Sequence, residues 1–570
     1  MVRLSGILAL LFVGLPFVGG ANDTIVVAND RYTVDSDLAL VLVSGGVADI
    51  NAQHTGSKGT IALGHYYTFN EPPTELAVGT GYAVQDEEGA EHTLYFTDLP
   101  VIWLDSPNTI VDEPKVPGSF RMVAAEQHIP TAHIGIELRG GVSQEYPKKS
   151  FRIAFRNDSA GSPNRDVALL GMRSDDDWNL LALYNEPLRI RSKLGQELWA
   201  DIHALHYVAQ EPNAHSGSRM AHVEVVLNGR YQGLYALCEP IDRKQLKLRT
   251  YTGTQRGRLY KSAHRGPAVE MTAQPAYDNT SLTWGGFEYK YPEEAVHWGQ
   301  LHEFVGEVVH AQQTHFLNLF PVRFHMGNAV DYFLFLNVMR AVDNRSKNTY
   351  IARYDAMTPY FYVPWDLDGT FGRSWDGSVD SATTSVLFNA MYQRIRWDCS
   401  WDGFMQLAKL RWNELREEVF TTEAVMARFH EAHDALAEQG VYQREQMAWN
   451  TYAYDPTELD RTAQWLDQRL AYLDAWFATN CTITDVGESQ AAGILHVYPN
   501  PASDRVVVEG AALRHGAVVE VVDGLGRITH RVFVGESTTS VSLTDLSPGA
   551  YLVRVTSPEQ VMEVRKLVVQ

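Results

Sequence analysis

The chain has 570 residues, of which 45% are hydrophobic and 11% aromatic, and its formal net charge is −21 at pH 7. This composition is typical of packed globular domains, not of a disordered or membrane-spanning protein, and the length predicts about three domains. The acidic charge argues against a nucleic-acid partner, because basic surfaces bind phosphate backbones.

Residues 1–21 have the pattern of a secretory signal peptide. Arg3 precedes an apolar run over residues 8–18, and the small residues 19–21 follow it. No later stretch reaches the roughly 18 uninterrupted apolar residues that a membrane span requires. We therefore expect an exported protein without a transmembrane segment.

The three cysteines allow at most one disulfide bond, so the chain is not a disulfide scaffold. Cys399 and Cys481 are one pair that could form it. The cysteine spacings match no zinc site, and Cys238 is expected to be a buried free thiol.

The domain order can be read from changes in pattern along the chain. Short β-like runs broken by Gly, Asn and Asp predict a β-rich accessory domain over residues 22–97. A larger domain is predicted over residues 98–480, and its part from residue 404 onward has an almost entirely helical pattern. A linker over residues 481–493 leads to a predicted β-sandwich over residues 494–570. The predicted fold class is therefore α+β.

The first candidate binding segment has a strand, turn, strand pattern over residues 139–155. Its turn contains Arg139, Gly140, Gly141 and Ser143. Glycines let backbone N–H groups approach an anion closely, and a lysine on the following strand can reach phosphates. Alternation along the strand places Lys149 on the interior face with Phe151, whereas Lys148 points away. Lys148 is the alternative phosphate-binding lysine, and an ordinary hairpin with edge lysines is the alternative for the whole segment.

The next candidates lie on an amphipathic helix and on the link that follows a hairpin. The helix is predicted over residues 188–200 and carries Glu197 beside its apolar face. Two strands joined by an Asn-Gly turn of type I′ come next, and an extended link begins at Glu239. This is the order of a protein-kinase small lobe and hinge. It predicts an ion pair between Lys149 and Glu197 and an adenine-side hinge from Glu239 to Asp242, while a solvated charge is the other interpretation of Glu197.

Two further segments are not expected to carry chemistry. Residues 251–291 are rich in Gly, Thr, Ser and Pro and are predicted to be an insertion or a long loop near the hinge. The run of acids at residues 175–177 is expected to be a solvated turn rather than a metal site.

Candidate catalytic residues follow an apolar helical pattern that ends near residue 341. Phosphoryl transfer needs a carboxylate that orients the acceptor hydroxyl, an amide or carboxylate for one metal ion, and a carboxylate from another segment. Protein kinases supply the first two at an Asp-x4-Asn spacing and the third as an Asp before a Gly, after a short hairpin. Asp343 and Asn348 have that spacing, and Asp366 or Asp368 follows a strand-like run and precedes Gly369. Ordinary turns, where Asp and Asn are common, are the alternative.

These motifs resemble the CotH kinase family of secreted or spore-coat atypical protein kinases. The resemblance covers residues 98–480 and depends on the motifs at residues 138–140, 147–151, 178–182, 228–235, 343–348 and 364–372. It implies a kinase-like domain of two lobes, with ATP and Mg²⁺ or Mn²⁺ as cofactors and Ser or Thr of a protein as the acceptor. The family's turn usually reads Arg-Gly-Asn-Ser-Ser, whereas residues 139–143 read Arg-Gly-Gly-Val-Ser.

The resemblance also implies the roles of individual residues. Asp343 corresponds to the acid of the catalytic loop. Asn348 together with Asp366 or Asp368 corresponds to the metal ligands, and Lys149 corresponds to the lysine that contacts the phosphates.

The tail resembles the type IX secretion sorting domain of Bacteroidota. The matching pieces are residues 498–501, 523–526 and 546–551, with Lys566 in a terminal strand. This resemblance implies that the type IX secretion machinery is a partner and that the protein crosses the outer membrane. The tail is then cleaved, or the protein is anchored at the cell surface.

The preferred hypothesis is an exported ATP-dependent kinase between a β-rich accessory domain and a sorting domain. The alternative from another class is a surface adhesin or structural protein that binds a partner without catalysis. Intact Asp343, Asn348 and Asp366 favour catalysis, whereas the scarcity of ATP outside the cell favours the adhesin. A carbohydrate-active enzyme would need two carboxylates flanking an aromatic-lined cleft, and no motif indicates one.

Overall fold

The computed structural model describes residues 24–159, 163–400, 402–481, 495–510, 513, 517–523, 527–534, 538–556 and 562–570. The chain forms two compact units, one from the residues up to 398 with residues 407–477, and one from residues 399–406 with those from 478 onward. The structure combines many β-strands with helices, most of which follow the first two sheets in the chain, and the fold is α+β. The predicted signal peptide lies outside the described residues. Within those ranges, no helix has both the length and the apolar character that a membrane crossing requires.

The first unit begins with a mixed β-sheet. Its elements are β1 (Thr24–Val26), β2 (Tyr32–Asp35), β3 (Leu40–Ser44), α1 (Val47–Gln53), β4 (Thr60–Leu63), β5 (His65–Phe69), β6 (Tyr82–Gln85) and β7 (Glu91–Thr97). The strand order is β1-β4-β5-β6-β7-β3-β2. Alternate side chains on β3 and β7, among them Val41, Val43, Leu94 and Phe96, form its apolar core.

A closed barrel follows this sheet. The next elements are β8 (Val101–Asp105), β9 (Val116–Val123), β10 (His128–Arg139), β11 (Ser150–Phe155), β12 (Val167–Ala168), β13 (Ser174–Asp175), β14 (Asp177–Leu181), α2 (Arg191–Ile202), β15 (Met220–Leu227), β16 (Arg230–Cys238) and α3 (Arg243–Leu246). Seven of the strands close in the order β10-β11-β14-β16-β15-β8-β9, which leaves no free edge. Phe151, Ile153 and Phe155 belong to its core. The turn between β15 and β16 has positive φ at Asn228 (51°) and Gly229 (76°), as a type I′ turn requires.

A third sheet and most of the helices complete the first unit. The elements are β17 (Arg258–Ser262), β18 (Thr283–Trp284), β19 (Phe287–Tyr291), α4 (Gly299–His310), α5 (Gln313–Arg323), α6 (Met326–Met339), β20 (Thr349–Arg353), β21 (Tyr360–Pro364), α7 (Ala390–Ile395), α8 (Phe404–Glu418), α9 (Thr422–Glu438), α10 (Val441–Ala448) and α11 (Glu458–Thr479). The strand order is β18-β19-β17-β20-β21. Of the two alternatives predicted for residues 251–291, an insertion or a long loop, the long loop is wrong, because this stretch contributes β17, β18 and β19. Its small and polar residues cluster between the strands, whereas buried aromatic side chains such as Tyr260 and Tyr289 occupy the strands.

The second unit contains two sheets with a common core. Its strands are β22 (His496–Tyr498), β23 (Arg505–Glu509), β24 (Val518–Val522), β25 (Ile528–Phe533), β26 (Thr538–Ser542), β27 (Gly549–Thr556) and β28 (Met562–Val569). The sheets have the orders β22-β23-β26 and β25-β24-β27-β28. Val506, Val519, Val553 and Leu567 are part of the apolar core that both sheets share.

The three cysteines form one disulfide bond and leave one thiol free, which the sequence allows. Cys399 and Cys481 form a disulfide bond, and their Cα atoms lie 5.4 Å apart. Cys238 is a buried free thiol at the end of β16. Burial raises the pKa of the Cys238 thiol to about 11, so it is protonated and unreactive at neutral pH.

Three histidines lie at the start of α6. His325 caps this helix, because its Nδ1 accepts the N–H of Asn328 at 3.1 Å, and the ring of His206 stacks on His325 with the centroids 4.5 Å apart. Nδ1 of His203 lies 2.9 Å from the carboxylate of Asp331. Burial, together with the neighbouring histidines, lowers the pKa of His206 to about 3 and that of His325 to about 4.

These histidines predict a loss of stability in acid. His206 and His325 remain neutral in the folded protein below 6.5, the ordinary pKa of the side chain, where the unfolded chain takes up protons. Their contribution to stability is therefore complete above pH 6.5 and decreases as the pH falls toward about 4. We expect a lower melting temperature at about pH 5 than at about pH 7.

Two variants test whether His206 contributes to the loss of stability in acid. His206→Phe should reduce the difference between the two melting temperatures, because phenylalanine cannot be protonated. His65→Gln should leave the difference unchanged, since the His65 side chain is 78% exposed. A His206→Phe protein with the full wild-type difference would contradict the prediction.

Candidate active site

The first candidate segment follows α6 directly. Arg340 ends the helix in a left-handed conformation with φ of 50°, and Asp343 begins a single turn of 3-10 helix. The buried Asn344 donates hydrogen bonds from Nδ2 to the carbonyl oxygens of Asn348 (2.8 Å) and Trp365 (2.6 Å). Asn344 therefore holds the two candidate segments together, a positioning role that the motif spacing does not reveal.

A β-hairpin places the second segment beside the first. Strands β20 and β21 are antiparallel, with Thr349 opposite Pro364. The N–H of Trp365 donates to the carbonyl oxygen of Asn348 at 3.1 Å, so the pairing continues past the end of the strands. Asp366 then has a φ of 57°, a left-handed conformation that is uncommon outside glycine and is often found at functional sites.

The predicted acid and amide residues line one cavity of about 340 Å³. They are Asp343, Asn348, Asp366 and Asp368. The cavity is also lined by Arg265, Arg340, Arg373 and Trp375. The structure thus brings side chains from two separate segments into one place, and both of the alternative aspartates are among them.

Opposite charges in this cavity are only partly balanced. The Asp343 carboxylate accepts a hydrogen bond from Arg265 (2.9 Å) and lies 3.7 Å from the ammonium group of Lys347. Burial raises the pKa of Asp368 well above its usual range, and repulsion from Asp366 raises it further. A bound cation would relieve this repulsion between the two carboxylates.

The donor atoms in the cavity fit a divalent ion of the Mg²⁺ or Mn²⁺ type. Such ions bind carboxylate and amide oxygens together with water. Asp366, Asp368 and Asn348 offer those oxygens at one cavity. These residues are therefore suited to hold the metal ion that the sequence resemblance implies.

The acidic run before β14 differs from the solvated turn that the sequence predicts. Asp175 and Asp176 are 1% and 7% exposed, and Lys244 donates hydrogen bonds to them at 2.8 and 2.5 Å. Arg173 lies 2.5 Å from Asp175. Oxygens of Asp175, Asp176 and Asp166 lie within 4.8 Å of one another. Because Lys244 and Arg173 compensate the charge, we interpret this cluster as a structural ion-pair network.

The predicted ion pair between Lys149 and Glu197 is wrong. The Lys149 ammonium donates to the carbonyl oxygens of Gln144 (2.7 Å) and Tyr146 (2.5 Å). Glu197 is exposed and pairs with Lys193, one turn earlier in α2. Glu197 is thus the solvated charge on a helix face that the sequence left as the alternative.

The predicted orientation of the two neighbouring lysines is also wrong. Strand β11 begins only at Ser150, so strand alternation does not apply to Lys149, and Lys148 is the buried one with 1% exposure. The Lys148 ammonium donates to Glu445 (2.7 Å) and to the carbonyl oxygen of Leu234 (2.6 Å). Burial lowers the pKa of Lys148 to about 8, while Glu445 acts in the opposite direction. These internal contacts already satisfy the Lys148 charge.

The glycine turn predicted to approach phosphates follows β10. Arg139 is the last residue of that strand, and its guanidinium lies 5.3 Å from the ring centroid of Trp365. Gly140 has a φ of 103°, and a Cβ there would lie 1.9 Å from the hydroxyl oxygen of Ser143, so this position requires glycine. Gly141 and Ser143 complete the turn. Its role in binding phosphates stays a prediction.

Glu239, at the predicted hinge, is fully buried. Its carboxylate accepts hydrogen bonds from Nε2 of His215 (2.6 Å) and from the N–H of Arg173 (2.9 Å). Burial alone would raise the pKa of Glu239, but these two partners lower it below its usual value. The Glu239 carboxylate thus forms hydrogen bonds within the protein. A contact between this segment and adenine would therefore have to use the backbone.

Lys261 is a candidate that the sequence patterns do not reveal, because residues 251–291 read as a loop. It lies on β17, and its side chain is partly buried. Burial, together with the nearby cation Arg139, lowers the pKa of Lys261 to about 8, although Glu288 and Asp366 act in the opposite direction. The one signal in the sequence is a lysine within a short aromatic, strand-like run.

The first unit is an α+β domain in which a closed barrel precedes, along the chain, the residues of an acidic cavity. The model of the CotH kinase protein family matches residues 136–473, and the chain belongs to this family. The model of the secretion system C-terminal sorting domain matches residues 496–570. The tail therefore indicates type IX secretion to the cell surface or the extracellular space, as predicted. A search of curated proteins found no match.

Three solved structures show limited likeness to the chain. PorZ, an essential surface component of the type IX secretion system of Porphyromonas gingivalis, is 25% identical over 13% of this chain, with a TM-score of 0.12, and the chain covers 11% of it. A DUF3244 family protein from Bacteroides vulgatus with an immunoglobulin-like β-sandwich is 9% identical over 14% of this chain and 97% of that one, with a TM-score of 0.12. The BSP domain of a biofilm-associated protein is 9% identical over 83% and 81% of the two chains, again with a TM-score of 0.12.

Proposed function

We propose that this secreted CotH-family protein is a kinase that transfers the γ-phosphate of ATP to Ser or Thr of a protein, with Mg²⁺ or Mn²⁺. The observation that carries the proposal is the convergence of four side chains on one cavity, namely Asp343, Asn348, Asp366 and Asp368. The segments that carry these side chains follow one another along the chain as a helix, a turn, a hairpin and an acidic turn. Protein kinases supply their catalytic acid and metal ligands in the same order.

In this proposal the barrel with α2 acts as the small lobe, and the third sheet with the helices that follow it acts as the large lobe. Arg139 at the end of β10 contacts Trp365, which directly precedes Asp366. The two parts therefore meet beside the acidic cavity. A nucleotide bound at this junction has its phosphates next to the aspartates.

Each residue of the cavity has a role in the proposed transfer. Asp343 accepts the proton of the acceptor hydroxyl, and its contact with Arg265 fixes the position of its carboxylate. Asn348 and Asp366 would hold the metal ion, and Asp368 would supply a second carboxylate. When bound, the ion would neutralise charge on the phosphates.

A thermal-shift titration of the exported chain with ATP and Mg²⁺ or Mn²⁺ tests the proposal. A ligand that binds only the folded protein adds about 2.7 kcal/mol of stability at about 100 times its Kd. We expect the melting temperature to rise by a few degrees, and only when metal and nucleotide are both present. Asp366→Ala should abolish the rise, because it removes a metal ligand.

Asp434→Ala is the matched control, since Asp434 is 63% exposed on α9. Asp434→Ala should show the same rise in melting temperature with metal and nucleotide as the wild type. No shift in the wild type with any nucleotide and metal would contradict the kinase proposal. It would leave the alternative of a surface-binding protein that does not catalyse.

A further inference from the structure

Lys261 lies next to the candidate catalytic loop. It is on β17, directly opposite Tyr350 of β20. The carbonyl oxygen of the next residue, Ser262, accepts the N–H of Asn348 at 2.9 Å. The backbone that carries Lys261 is therefore hydrogen-bonded to the residue proposed to hold the metal ion.

The direction of the Lys261 side chain follows from its neighbours on the strand. Tyr260 points into the aromatic core and stacks on Trp298, with the centroids 5.5 Å apart. Because side chains alternate along a strand, Lys261 lies on the opposite face with Leu259. Leu259 belongs to the cluster that also contains Trp365 and Cys238, the last residue of the barrel strand β16. Lys261 thus faces the junction between the barrel and the third sheet.

A second cation enters the same junction from the barrel. Arg139 places its guanidinium 5.3 Å from the ring centroid of Trp365. Within the residues that the structure describes, neither Arg139 nor Lys261 forms a salt bridge, and Lys261 makes no hydrogen bond through its ammonium group. Glu288, opposite Lys261 on β19, pairs with Lys290. A partly buried ammonium without a direct hydrogen-bond partner is costly, and an anion bound at the junction would relieve that cost.

We propose that Lys261 and Arg139 bind the phosphates of the nucleotide at this junction, and that Lys149 does not. The proposal rests on the proposed kinase function, because it names the phosphate-binding residues of that site. The ammonium of Lys149 already donates to two backbone carbonyl oxygens. That of Lys148 is paired with Glu445 in the core. Lys261 forms no salt bridge within the described residues, and its strand is hydrogen-bonded to Asn348 of the acidic cavity.

The test compares Lys261→Met with Lys149→Met and Lys290→Met in the exported chain. Calorimetry in Mg²⁺ gives the Kd of ATP, of adenosine and of inorganic triphosphate. Charge-assisted hydrogen bonds are the strong ones, and we expect Lys261→Met to raise the Kd of ATP and of triphosphate roughly 10- to 100-fold. Adenosine binding should not change, and the two control variants should bind ATP as the wild type does.

The melting temperature without ligand shows whether a substitution weakens ATP binding directly or destabilises the fold. Lys261→Met should melt at the wild-type temperature or above, because it removes a partly buried charge that has no partner. Unchanged ATP binding in Lys261→Met, or a loss in Lys149→Met instead, would overturn this inference and leave the kinase proposal intact.

Failure of the kinase proposal gives a different result. If the wild type does not bind ATP but binds triphosphate through Lys261, the phosphate-binding proposal is supported and the kinase proposal is contradicted. If the wild type binds neither ATP nor triphosphate, both proposals are overturned.

Discussion

Replacing Asp343 by asparagine is expected to lower the rate of phosphoryl transfer by about 10²- to 10⁴-fold, the usual contribution of a positioned acid or base. Asparagine has nearly the same shape but cannot accept the proton of the acceptor hydroxyl. Asp343 lines the cavity beside Asn348 and Asp366 and is oriented by Arg265. ATP and metal binding should therefore persist in Asp343→Asn, in contrast to Asp366→Ala.

Transfer of labelled phosphate from ATP to the chain itself and to casein measures this rate. Asp376→Asn is the control, because Asp376 is an exposed aspartate close in sequence to the cavity residue Trp375. It should retain the wild-type rate. Full activity in Asp343→Asn would remove Asp343 from its proposed role, whereas loss of ATP binding in that variant would assign it to the metal site.

Replacing Glu445 by glutamine is expected to cost about 3 to 5 kcal/mol of stability, the usual effect of removing one partner from a buried ion pair. Glu445 on α10 is 0% exposed. Its carboxylate accepts hydrogen bonds from Lys148 (2.7 Å), from the N–H of Leu234 (2.6 Å) and from Arg189 (3.0 and 3.2 Å). Glutamine would leave two buried cations without a countercharge.

The same contacts determine how this stabilisation depends on pH. Burial alone would raise the pKa of Glu445, but Lys148 and Arg189 lower it below its usual value of 4.5. The contribution of the carboxylate is therefore present above pH 4.5 and is lost as the pH falls through the lowered pKa. Glu445→Gln should remove this part of the acid sensitivity.

Thermal unfolding at neutral pH compares the loss of stability in Glu445→Gln with that in Glu197→Gln. Glu197 forms an exposed pair with Lys193, and such pairs contribute about 0 to 1 kcal/mol. A large loss of stability is therefore expected for Glu445→Gln alone. Equal melting temperatures for the two variants would contradict the structural role assigned to Lys148 and Glu445.

The sequence predicts the candidate site where its residues are close along the chain. Asp343 and Asn348 lie in one short turn, and a hairpin of neighbouring strands brings Asp366 and Asp368 to them. Spacing and strand pattern are sufficient here, because a turn and a hairpin determine geometry locally. The type I′ turn at Asn228 and the buried thiol of Cys238 were predictable for the same reason.

The partners of the charged residues depend on tertiary structure. Lys148 pairs with Glu445, 297 positions away, and the Lys149 side chain turns back to carbonyl groups within its own loop. Strand alternation predicts the reverse orientation because it assumes that β11 begins before Ser150. The start of a strand depends on its pairing with other strands, which a single segment does not reveal.

The sequence is sufficient to predict the secreted class of the protein, its CotH-type motifs, its sorting tail and the four side chains of the acidic cavity. These features are encoded in contiguous segments. The sequence does not reveal that Lys261 and Arg139 face the same junction, because this depends on tertiary packing. Lys261 and Arg139 come from different sheets, and the packing of the barrel against the third sheet brings them to one junction. Such long-range packing depends on the whole apolar core rather than on any local pattern.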